Sequence, residues 1–209
     1  MLFGRFWRSN DAIPWRATSA PKKRIKMPID FLPTAEQTGF AIGFCLNQMP
    51  LLHPSKAQHI ELLAEAEITE TQLLSERFLL SFCAASYAID QALGNTSNAK
   101  AVHDGLRRYL SDHRQNPCVA YALAELESGV SYYTEAALED LQVGAPVDGN
   151  LSDIEMAFGD RLLDLGDDNK KRAIACIHLS MDVPSALWNA HTNSALQMMG
   201  DAKLLRMTS

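Results

Sequence analysis

No stretch of this chain is long and apolar enough to span a bilayer as a helix. Spanning takes about 20 mostly apolar residues, and the longest weakly polar run, GFAIGFCLNQMPLL, is shorter and broken by Asn47, Gln48 and Pro50. Cysteine is scarce, with four in 209 residues, and Cys45, Cys83, Cys118 and Cys176 form no C-x-x-C pair of the kind zinc and redox sites use. Their apolar surroundings predict buried free thiols, which suit a reducing compartment, so a cytoplasmic location is expected. Period-two alternation bounded by hairpin turns is also missing, which argues against a strand-based fold.

Signatures of common chemistry are equally sparse. Neither G-x-x-x-x-G-K-[ST] nor G-x-G-x-x-G occurs, so the glycine loops that cradle phosphates are absent. No Glu-x-x-His exists to build a carboxylate di-metal bundle, and H-E-x-x-H and G-x-S-x-G are missing too. No cofactor is expected from these patterns.

What the sequence does carry is an uneven charge. Residues 1–26 hold seven cations against Asp11, a net of +6 in a chain whose total is −6, which leaves −12 on the remainder. Such a split marks an arm that meets a polyanion or an acidic surface. On a helical projection Phe3, Phe6 and Trp7 fall opposite Arg5 and Arg8, while Pro14 ends any helix and SAPKKRIKMP reads as an extended basic linker. The contact residues expected in this arm are Phe3, Arg5, Phe6, Trp7, Arg8, Trp15, Lys22, Lys23 and Arg24. Four uses compete for it: a tail docked on the acidic body, a contact with an anionic membrane surface, a contact with nucleic acid, or an organelle transit segment.

From Thr34 onward the apolar period is helical throughout. The expected fold is therefore all-α, a single-domain bundle of about seven or eight helices over residues 34–209, preceded by an extended basic arm over 1–33, with a seam at 142–150. Helices are predicted at 34–48, 55–67, 70–93, 98–114, 117–141, 152–165, 168–181 and 184–206. Thr34 with Gln37, Thr69 with Gln72 and Ser152 with Glu155 have capping-box spacing. ERFLLSFCAASYAIDQAL is apolar nearly all round, as a central helix would be, and Gly39 with Gly43 suits close helix packing. Ile154, Phe158 and Leu162 form one stripe, and Leu187, His191 and Ala195 another, which marks two outer helices.

One constellation suggests chemistry. His103 and Asp104 are adjacent on a predicted helix, with His59 upstream and Asp140 or Asp153 downstream. This set resembles the metal centre of His-Asp phosphohydrolases, and the resemblance implies a divalent metal on His59, His103, Asp104 and Asp140 that activates water. The bland alternative is a helix residue beside Arg107 and Arg108. His178 and His191 are expected to be hydrogen-bonded core or rim residues. Acidic side chains from Glu125 to Asp140 and from Asp153 to Asp168 make a negative face, read as solvated or as a dock for a basic partner. The leading expectation is a non-enzymatic helical interaction or regulatory protein that binds a protein partner or itself. The alternatives are the metal-dependent hydrolase and a membrane or nucleic-acid contact through the arm.

Overall fold

The computed structural model describes residues 32–48, 56–143, 151–163, 170–181 and 183–205. Among them are eight α-helices and no strand: α1 (Ala35–Gln48), α2 (Lys56–Ala66), α3 (Glu70–Leu93), α4 (Ser97–Asp112), α5 (Pro117–Val143), α6 (Asp153–Leu162), α7 (Lys170–Ser180) and α8 (Val183–Asp201). The fold is the all-α multi-helix bundle expected from the sequence. The nine arm residues named above lie outside the described residues, as does the 142–150 seam beyond Val143, where α5 continues past its predicted end.

Local chemistry sets the helix starts. At α1, Thr34 N–H donates to Gln37 Oε1 (2.9 Å) and Gln37 N–H donates back to Thr34 Oγ1 (3.2 Å). The same reciprocal capping box opens α3 at Thr69 and Gln72, and α6 at Ser152 and Glu155. Each satisfies two backbone groups that a helix end leaves without partners. Thr96 caps α4 alone by accepting from Ala99 N–H (3.1 Å). At α5, Pro117 occupies the first turn, where its missing N–H costs nothing, and Asn116 Oδ1 accepts from Cys118 N–H (3.0 Å).

Helix α3 is the axis of the bundle. Phe78, Leu79, Leu80, Phe82, Cys83, Ala84 and Ala85 are all buried, because α5 and α8 pack along it and α1, α4 and α6 also touch it. Helices α1 and α4 lie unusually close. A Cβ on Gly39 would sit 1.9 Å from Val102 O, one on Gly105 2.0 Å from Glu36 O, and one on Gly43 2.6 Å from the Tyr109 ring. Only glycine permits that approach, which brings the apolar ridges of both helices into van der Waals contact.

Two ends differ from expectation. Helix α8 closes at Asp201 rather than 206, because Lys203 turns left-handed (φ 56°) and Leu204 N–H donates back to Met199 O (2.9 Å). That turn folds Leu205 back beside Gly200. Helix α6 stops at Leu162, and the predicted end at 165 lies outside the described residues. No disulfide joins the four cysteines: Cys83 and Cys176 are buried as expected, whereas Cys45 and Cys118 are only partly covered. No helix among the described residues is long and apolar enough to cross a membrane.

Candidate functional site

Three places on the bundle stand out, each formed by its own combination of helices. The largest is a cleft of about 880 Å³ between the end of α3, α4 and α5, floored by Leu106, Leu126 and the buried Ser86. His103 and Asp104 line it, and His103 Nε2 lies 2.8 Å from Asp90 Oδ1. The partner of His103 is thus Asp90, one helix away, rather than the adjacent Asp104. Asp140 is engaged elsewhere, at the start of α6, where its carboxylate accepts from Asp153 N–H (2.7 Å) and Ile154 N–H (3.4 Å). A negative group at a helix N-terminus is stabilised by the aligned peptide dipoles. His59 falls on α2, in a turn whose side chains are outside the described set. Among the described residues, no group of three His, Cys, Asp or Glu side chains converges as metal ligands do.

The second place is a buried polar knot that the sequence did not signal. Glu76 on α3 accepts from Tyr121 Oη (2.5 Å), Tyr133 Oη (2.6 Å) and Arg161 Nε (2.5 Å), so that α3, α5 and α6 share one carboxylate. Arg161 also donates to Tyr121 Oη (3.2 Å) and approaches Glu125 (3.6 Å). Burial and then the Glu76 charge push the Tyr133 hydroxyl well above its ordinary range, and burial with the Glu76 hydrogen bond pushes Tyr121 up to about 12. For Arg161, burial favours loss of the proton, but the Glu76 hydrogen bond and charge outweigh it and the guanidinium stays charged. Burial and Glu76 likewise raise the Cys83 thiol, which leaves it an inert packing residue. With every Glu76 oxygen satisfied, the knot locks three helices in register. A void of about 170 Å³ adjoins it, lined by Thr71, Ser75 and Leu162.

The third place is the outer face of α7. Its inward residues are Ala175, Cys176, Leu179 and Ser180, mostly small, and its outward positions include Ile174, Ile177 and Met181. Helix α6 comes close to α7 at Gly159, where a Cβ would lie 3.2 Å from Ser180 Oγ. The outward apolar side chains are left in water, with Ile174 55%, Ile177 42% and Met181 43% exposed. The helices flanking α7 add Ile60 on α2, 66% exposed, and Met156 on α6, 48% exposed. His178, expected in the core or at its rim, is exposed among these residues. His191 is buried as expected, but neither ring nitrogen has a hydrogen-bond partner among the described residues.

The acidic face is partly spent inside the protein. Glu155 is buried in its capping box, Asp140 holds α6, and Tyr132 Oη donates to Asp160 (3.5 Å). Arg172 donates from Nε to Ala66 O (2.9 Å) and so ties α7 to the end of α2. No protein-family model, no curated protein and no solved structure matches the chain.

Proposed function

We propose that this protein is a non-enzymatic helical interaction or regulatory protein, whose body engages a protein surface through the outer face of α7 and its neighbours. The observation that carries the reading is the inverted pattern of α7, with small residues inside and Ile174, Ile177 and Met181 outside. Together with Ile60 and Met156, these side chains expose the equivalent of about two and a half whole ones. Covering them would contribute ~4–8 kcal/mol, taking 1.5–3 kcal/mol for each fully buried large apolar side chain. Isolated exposed apolar residues are ordinary, but a contiguous group on adjoining helices marks an interaction surface. The basic arm, with Phe3, Phe6, Trp7 and Trp15 among its cations, supplies a second contact to an acidic partner surface.

A photo-crosslinking amino acid placed at position 177 in cells tests this. Discrete protein adducts are expected there, lost when Ile174→Asp is added and absent when the crosslinker sits at exposed position 98 on α4. The reading fails if positions 98 and 177 give the same adducts, or if neither gives any.

A further inference from the structure

We infer that the cleft between α3, α4 and α5 is a binding site for a free amino acid whose aromatic side chain ends in a hydroxyl. None of the residues lining it belongs to α2, α6 or α7, so the inference stands apart from the interaction reading above. Helix α4 packs chiefly on α1 through the glycine crossing and touches α5 only lightly, which leaves the cleft open between α4 and α5. Its volume of about 880 Å³ falls in the range of small-molecule sites, which combine an apolar floor with a few polar groups.

The charges on the walls select a zwitterion. Lys100, Asp104 and Arg107 line the cleft from α4 and Glu127 from α5, and among the described residues none of the four forms an ion pair. A purely anionic ligand would meet Asp104 and Glu127, and a purely cationic one Lys100 and Arg107, whereas a zwitterion answers both signs. Lys100 and Arg107 are two turns apart, about 10.5 Å along α4, a span that two long basic side chains can close on one carboxylate. His103 adds direction. The ionised Asp90 carboxylate can only accept, so the 2.8 Å contact places the ring proton on Nε2 and leaves Nδ1 of the neutral ring as an acceptor for an ammonium.

The floor sets the side chain. Leu106 and Leu126 are buried and suit a flat ring, while Ser86 between the same helices is 4% exposed and its hydroxyl has no hydrogen-bond partner among the described residues. Burying a hydroxyl without a partner is costly, and a ligand hydroxyl that reaches it removes that cost.

Saturation-transfer NMR titrations of the full chain with four compounds read the result. L-tyrosine carries every group named above, whereas tyramine lacks the carboxylate, desaminotyrosine the ammonium and L-phenylalanine the ring hydroxyl. L-tyrosine should bind at millimolar concentration or below, and each of the other three on the order of tenfold more weakly, the loss expected for one hydrogen-bonded group. Ser86→Ala should erase the preference for L-tyrosine over L-phenylalanine. Arg107→Glu should weaken L-tyrosine on the order of tenfold and leave tyramine no weaker, because only the carboxylate loses its partner. Absence of L-tyrosine binding, an analogue that matches it on the unaltered chain, a preference that survives Ser86→Ala, or unchanged binding in Arg107→Glu overturns the proposal. The ranking of the four compounds on the unaltered chain decides the matter even where a variant fails to fold.

Discussion

His191 gives the most direct physical prediction. Its side chain is 1% exposed on α8, and both ring nitrogens lack hydrogen-bond partners among the described residues. Burial holds the imidazole neutral and lowers its pKa to about 4, against 6.5 when the chain is unfolded. As pH falls from 7, the unfolded chain therefore takes up a proton at this site well before the folded chain does. Unfolding is favoured throughout that window, so His191 should cost about 2 kcal/mol of stability by pH 5 and about 3 kcal/mol by pH 4. Urea unfolding of the wild type and of His191→Leu at pH 7 and pH 5 isolates the effect, because all other titrating groups are common to both. The wild type should lose about 2 kcal/mol more than the variant between those two pH values. At pH 7 the variant should be no less stable than wild type, since it removes a buried donor and acceptor worth about 1–3 kcal/mol each when unpartnered. Parallel pH profiles for the two proteins would refute the assigned environment of His191.

Two further predictions concern the framework. Gly105→Ala should destabilise by about 2–3 kcal/mol in thermal or urea melts, because its Cβ would meet Glu36 O at 2.0 Å and force α1 from α4, outweighing the ~1 kcal/mol gain in helix propensity. Gly200→Ala, whose Cβ would find only an ordinary contact with Leu205 at 3.6 Å, should be neutral or stabilising, and equal losses in the two variants would contradict the close crossing of α1 and α4. Glu76→Ala should cost about 3–5 kcal/mol in the same melts, since it strands the Arg161 guanidinium and two tyrosine hydroxyls in the core. A loss below about 1 kcal/mol would mean that the knot is not formed.

The helices were legible because their signals are local. A threonine or serine followed by Gln or Glu three residues later closed a capping box at Thr34, Thr69 and Ser152 as the spacing implies, and Pro117 and Pro184 fell in first turns. The all-round apolar character of α3 correctly marked the central helix, since burial on every side leaves no polar face to find. The Glu76 knot was hidden for the opposite reason. Its members stand up to 85 positions apart, and nothing near Glu76 in the chain marks it as the acceptor for Tyr121, Tyr133 and Arg161. His103 shows the same limit, because its partner Asp90 comes from the preceding helix rather than the neighbouring position. Helix α7 is the more instructive case. Residues 170–181 carry apolar side chains on two faces, Ala175, Cys176 and Leu179 on one and Ile174, Ile177 and Met181 on the other. Hydrophobicity alone would turn the larger set inward. The inner set is nonetheless the buried one: α6 comes close at Gly159, where a Cβ would lie 3.2 Å from Ser180 Oγ, and Leu179 on the same face is 2% exposed. A helix seated in this way retains uncovered apolar surface on its other side, and that surface is the face on which a partner would act.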